Sequence, residues 1–122
     1  MLFINLFLEN LKKEIRIKGT DIFCFGSGKA FDNFFNEFSQ YDLLKYVKAI
    51  ADNKYHNKER GIKNIQNIVI PIISIEQMVH DINIGDVILI TTAAYREVIS
   101  QLEQIVKLKN IDYCLYFMLK IK

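Results

Sequence analysis

The chain is predicted to be a single α/β domain: three layers, with helices on both faces of a mostly parallel sheet of about five strands. Three observations predict it. Strand-like and helix-like segments alternate along the whole length, which calls for βαβ crossovers and a parallel sheet. Asp86-Val-Ile-Leu-Ile-Thr91 is an unbroken apolar run of the kind buried on both faces of such a sheet. With 122 residues, of which 51% are apolar and 25% charged, one core can be filled and a second cannot.

The elements follow in order. Phe3, Ile4, Phe7, Leu8, Leu11 and Ile15 recur at helical spacing, so residues 3–17 are expected to form an amphipathic helix that stops at Gly19. Residues 1–18 then make an N-terminal helix and 19–122 the α/β core. The first strand is Asp21-Ile-Phe-Cys-Phe25. Ala30, Phe31, Phe34, Phe35 and Phe38 mark one face of a helix from about Lys29 to Phe38. The second strand is Tyr46-Val-Lys-Ala-Ile-Ala51, with Asp52 at its end.

Residues 53–66 are polar and turn-like and are expected to form the longest loop. Ile68-Val-Ile-Pro-Ile-Ile73 is the third strand, short or at an edge because its proline lacks a ladder donor. Ser74 with Gln77 opens a short helix to about Ile82. The fourth strand is 86–91. Ala94, Tyr95, Val98, Leu102, Ile105 and Leu108 trace the next helix, and Ile111–Phe117 closes as the fifth strand. The expected strand order is 3-2-1-4-5.

Bulk properties exclude several functions. A formal charge of +2 with no basic stripe argues against nucleic acid. The apolar opening residues 1–8 lack a basic n-region and turn charged at Glu9, so they do not read as a signal peptide; no run approaches a membrane span. Cys24 and Cys114 sit in apolar runs as free thiols, and the expected location is the cytoplasm. His56, His80 and the cysteines have no metal-ligand spacing.

The chemistry-bearing feature is the turn Gly26-Ser27-Gly28-Lys29 between the first strand and its helix. Glycines there admit a phosphate to backbone N–H groups at a helix N-terminus; the alternative is a tight turn without a ligand. Asp52 stands where a ribose-binding acid falls in dinucleotide sites, or else it caps a turn. Thr91, Thr92 and Ala93 follow the fourth strand, beside the crevice where strand order reverses; Thr92 could equally serve as a helix N-cap. Lys29 is placed to neutralise a phosphate or is simply solvated. Phe31 occupies the third glycine position of G-x-G-x-x-G and is expected to pack inward.

Other motifs fail. The spacing of a P-loop is absent, because Phe23 stands five residues before Gly28 and Ala30 follows Lys29. The Tyr-x-x-x-Lys pairs Tyr41/Lys45 and Tyr116/Lys120 are a weak pattern in a chain this rich in tyrosine and lysine, and Tyr116 lies in a strand-like run where i and i+4 do not share a helical face. A response-regulator receiver with Asp52 as phosphoacceptor would need carboxylates where Gly26 and Ser27 stand. No general acid, general base or metal ligand set emerges, so no catalytic residue is assigned and the sequence leaves open whether the chain is an enzyme.

The segments Ile22-Phe-Cys-Phe-Gly-Ser-Gly-Lys-Ala30, Ala49-Ile-Ala-Asp-Asn53, Ile70-Pro-Ile-Ile-Ser-Ile-Glu76 and Asp86-Val-Ile-Leu-Ile-Thr-Thr92 with Tyr95 occur in an order and spacing that resembles a known module. It is similar to the Rossmann-like domain of bacterial cell-surface polysaccharide and nucleotide-sugar biosynthesis proteins, over about residues 10–117. The resemblance implies that Gly26, Ser27, Gly28 and Lys29 cradle a phosphate, that Asp52 and Asn53 meet a ribose or sugar, and that Thr91, Thr92, Ala93 and Tyr95 close the other wall. Phe31 departs from the small residue often found there.

The function expected on this basis is a module that binds a nucleotide, dinucleotide such as NAD(P), or nucleotide sugar, without a complete catalytic site. It would work alone, as a homo-oligomer, or as one domain of a larger enzyme. Two alternatives stand beside it. One is an interaction or oligomerisation module with a vestigial pocket, its Phe3, Phe7 and Phe31–Phe38 surfaces partly covered by a partner. The other is an NAD-dependent oxidoreductase domain.

Overall fold

A computed structural model describes residues 2–83, 85–92, 94–109 and 114–117. The chain runs α1 (Leu2–Lys18), β1 (Ile22–Phe25), α2 (Lys29–Glu37), β2 (Val47–Ala51), β3 (Arg60–Ile65), β4 (Ile68–Ile73), α3 (Ile75–Asp81), β5 (Val87–Ile90), α4 (Tyr95–Lys109) and β6 (Cys114–Phe117). Two short 3₁₀ turns, Ser39–Tyr41 and Leu44–Tyr46, link α2 to β2. Residues 111–113 of the expected last strand lie outside the described residues.

Local chemistry sets several boundaries. α1 ends at Gly19, whose φ of +68° and N–H bond to Ile15 O (3.0 Å) form a left-handed cap. Ser74 caps α3 by accepting from the Gln77 N–H at 3.1 Å. The Gln77 side chain donates onward to Asp81 at 3.0 Å and so does not complete a reciprocal box.

The sheet is mixed, with order β3-β4-β2-β1-β5-β6. Four of its five strand pairings are parallel, as expected, but the order differs from the five-strand 3-2-1-4-5 expected from the sequence by a sixth strand, added antiparallel at the edge beyond the expected third. The difference arises in residues 53–66, where Arg60–Ile65 is a strand paired antiparallel with β4 rather than part of a long loop. Its hairpin turns on Gln66 and Asn67, both with positive φ (51° and 65°), as a two-residue type I′ connection requires.

This hairpin also moves β4 off the edge, so the proline strand is neither short nor terminal. The ladder between β4 and β2 comprises Ile50↔Ile72 and Ala51↔Ile73 and therefore starts just after Pro71, where the missing donor costs nothing.

Two apolar layers sandwich the sheet. On one face Leu8, Leu11 and Ile15 of α1 and Phe31, Phe34 and Phe35 of α2 pack on Ile22, Cys24, Ile50 and Leu89. On the other, Ile75 and Met78 of α3 and Val98 and Leu102 of α4 pack on Phe23, Phe25, Ala51, Ile88 and Ile90. The period-2 alternation along β1 divides its side chains between the two layers. A bulge keeps this true of β2: Ile22 pairs with Val47 and Phe23 with Ala49, leaving Lys48 as the extra residue.

The phenylalanine run of α2 is consumed inside this core. Phe31 is fully buried, and Phe34, Phe35 and Phe38 are nearly so, linked by ring contacts of 4.7 to 5.3 Å. The expectation that Phe31–Phe38 offers a partner surface is overturned. Period-3.6 apolar spacing on a helix beside a sheet serves that sheet first. The side chain of Phe3 lies outside the described residues.

Candidate functional site at the β1–α2 turn

β1 has β2 on one side and β5 on the other. The chain leaves β1 toward β2 through α2 on one face, and leaves β5 through α4 on the opposite face. The strand order therefore reverses between β1 and β5, and the carboxyl ends of two such strands are the place where open α/β sheets bind ligands. Gly26–Gly28 and Thr91–Thr92 stand there.

The two glycines have different tasks. Gly26 has φ +106°, and its N–H donates to Ala51 O at 2.9 Å. A Cβ at this position would meet Thr91 O at 2.8 Å. Thr91 is buried and its hydroxyl contacts both Phe25 O (3.1 Å) and Gly26 O (2.8 Å). Gly26 and Thr91 thus lock the ends of β1 and β5 together. Gly28 is the N-cap of α2, with ordinary φ and no side-chain cap, and a Cβ there would touch nothing. The first intrahelical bond runs from the Asp32 N–H to Gly28 O (3.3 Å), so the amides of Gly28, Lys29 and Ala30 precede the helical ladder. Gly28 and Lys29 are exposed.

Between these glycines the turn is closed from within. Asp52 Oδ2 accepts from both the Ser27 N–H (3.2 Å) and the Ser27 hydroxyl (2.6 Å), while Oδ1 accepts from the Lys54 N–H (3.0 Å). Burial works to raise the Asp52 pKa, but the bonds from Ser27 and Lys54, with the Lys54 charge, outweigh it and hold the carboxyl below its ordinary value. The carboxylate assigned to a ribose from sequence spacing is thus committed to the turn. Asn53 is likewise engaged: its amide and that of Gln101 on α4 exchange two hydrogen bonds of 3.3 Å.

Lys63 is the residue that sequence reasoning missed. From β3 its ammonium crosses the Phe31 ring (5.7 Å from the centroid), donates to Ser27 O at 2.8 Å and pairs with Asp32 at 2.7 Å. It lay in the segment read as a loop. The available signal was Gln66-Asn67, turn-compatible residues between two runs containing isoleucine.

Thr92 Oγ1 accepts from the Ala94 N–H at 3.3 Å, a local turn contact rather than a cap on α4, which begins at Tyr95. Tyr95 carries the Arg96 guanidinium 5.7 Å from its ring centre. Ala93 lies outside the described residues. Among the described residues, no group of three His, Cys, Asp or Glu converges to hold a metal, and no helix is long and apolar enough to cross a membrane.

Compared with known proteins, the chain matches no family model, no curated sequence and no solved structure.

Proposed function

We propose that the chain is a binding module for a phosphate-bearing ligand of the nucleotide or nucleotide-sugar class, seated in the crevice between the carboxyl ends of β1 and β5. The observation that carries this reading is Gly28: an exposed N-cap with vacant space where a side chain would stand, opening a nine-residue helix at the reversal of strand order. A phosphate there accepts from the amides of Gly28, Lys29 and Ala30, with the Lys29 ammonium nearby. Asp52 plays a different part from the one its spacing suggested. It shapes the turn by occupying Ser27, so the ribose or sugar falls to other groups.

The reading is tested by melting the protein with NAD, a UDP-sugar and coenzyme A in turn. A ligand at a hundred times its Kd adds about 2.7 kcal/mol of stability. Gly28→Val is expected to reduce that gain and to abolish the ligand-induced shifts of the residue 28–32 amides, while leaving the unliganded transition in place. A panel that moves nothing, or a Gly28→Val protein whose residue 28–32 amides still shift with ligand, overturns it.

One observation favours a second reading, association through the sheet edge. On the face of the β3–β4 hairpin away from α1 and α2, Ile62 and Val69 are 65% and 59% exposed, and β3 is the terminal strand. Sedimentation analysis of the wild type against Ile62→Lys checks it: a dimer dissolved by the lysine supports this reading, and a monomer in both removes it.

A further inference from the structure

A second cleft lies away from the β1–α2 turn, between α1 and the 3₁₀ turn Ser39–Tyr41. It is an open cleft of about 440 Å³, lined by Glu9, Lys12, Lys13, Arg16, Gln40 and Tyr41. That volume falls within the range of small-molecule sites. We infer that this cleft binds the dianionic phosphate group of a small organic molecule through Lys12, Lys13 and Arg16.

The charge pattern carries the inference. Lys12, Lys13 and Arg16 stand at i, i+1 and i+4 on α1, so Lys12 and Arg16 repel one another, as do Lys13 and Arg16 at i+3. Among the described ion pairs none involves these three residues; Asp42, which follows Tyr41, is paired with Lys45 at 2.8 Å and feels the Lys12 charge only from a longer range. The helix dipole accounts for Arg16 and Lys18 in the last turn of α1. Its influence fades within one turn and does not account for Lys12 and Lys13.

Three cations and Glu9 leave the cleft with a net charge of +2, the complement of a phosphate dianion. A guanidinium fork engages two phosphate oxygens at once, and lysines supply point charges beside it. The other wall is of a different kind. The Tyr41 hydroxyl is occupied in donating to Asn5 Oδ1 (3.0 Å), so the tyrosine offers a fixed, half-buried ring to the organic part of the ligand. Gln40 adds amide donors, and Glu9 can accept from a ligand hydroxyl.

The test uses the full chain, phenyl phosphate as the probe at a pH above its second pKa of about 6, where it is a dianion, and two-dimensional ¹H–¹⁵N spectra at ionic strength held constant with sodium chloride. Saturable shifts are expected at the amides of residues 9–16 and 39–41. Lys13→Gln with Arg16→Gln should weaken binding about tenfold or more, since each removes a charge-assisted contact. Glu9→Gln should tighten it by raising the cleft charge. These side chains are exposed, so the variants retain the fold, which the same spectra verify. Gly28→Val should leave the effect intact, separating this cleft from the β1–α2 crevice. Shifts that fail to saturate, that ignore all three substitutions, or that appear only around Gly28 overturn the inference.

Discussion

Gly26 and Thr91 approach so closely that only a hydrogen fits on the glycine: a Cβ would stand 2.8 Å from Thr91 O and 2.9 Å from the Thr92 Cβ. The contact joins the ends of two adjacent parallel strands. Gly26→Ala combines that overlap with a φ of +106° and is expected to cost about 1–3 kcal/mol. Gly28→Ala meets open space and should leave stability within about 0.5 kcal/mol. Urea unfolding of the two variants side by side measures the contrast; equal losses would contradict the division of labour between the two glycines.

Asp52 gives the protein an acid-sensitive turn. Its carboxyl titrates below the ordinary aspartate value, so its stabilising contribution is complete above that value, near pH 3.8, and drains away as pH falls through the lower folded-state value. Asp52→Asn should lower stability at neutral pH by about 1 kcal/mol, the scale of a net hydrogen bond. Its unfolding free energy should also fall less steeply than wild type below about pH 4. Parallel acid limbs for the two proteins would show that another carboxylate governs this range.

Lys63 tethers the edge strand to the start of α2. Its ammonium serves Ser27 O and Asp32 together, and its side chain is only 19% exposed against 39% for Asp32. Lys63→Met is expected to lose about 1 kcal/mol, moderated by the solvent that reaches Asp32. Combined with Asp32→Asn, the losses should be less than additive, because the second change removes the carboxylate that the first left unpaired. Strict additivity in a double-mutant cycle would deny the coupling.

Phe31 stands where a dinucleotide fingerprint has its third glycine, yet it is among the largest fully buried side chains. Phe31→Ala should cost about 3–5 kcal/mol through the cavity it leaves. Thermal unfolding reads the loss directly, and a cost under 1 kcal/mol would mean the site collapses around the gap.

Burial pushes the Cys24 thiol far above its ordinary pKa, so the reactive thiolate is suppressed. Iodoacetamide followed by peptide mapping should leave Cys24 unlabelled in the native protein and label it fully in denaturant. Native-state labelling at the rate of a free thiol would mean that β1 opens readily.

Most of the helices and the strands β1, β2, β4 and β5 could be read from the chain because their signals are local. Leu8, Leu11 and Ile15 announce a helix by spacing, and Val87–Ile90 announces a buried strand by unbroken apolarity. Arg60–Ile65 could not be read so easily. Its exposed positions carry Arg60, Ile62 and Asn64, so the period-2 contrast that marks a half-buried strand is blurred, and its identity comes from the partner β4.

The glycine turn, its helix and the end of the second strand were likewise legible, since each rests on residues adjacent in sequence. What Asp52 does was not, because Ser27 lies 25 residues away and spacing cannot tell whether a carboxylate turns toward a ligand or toward its own chain. Sequence by itself determined the alternation of elements and the position of the glycine turn between the first strand and its helix. Tertiary structure decided the edge strand, the separate duties of Gly26 and Gly28, and the engagement of Asp52 and Lys63, because each depends on a distance between segments that meet only when the sheet is assembled.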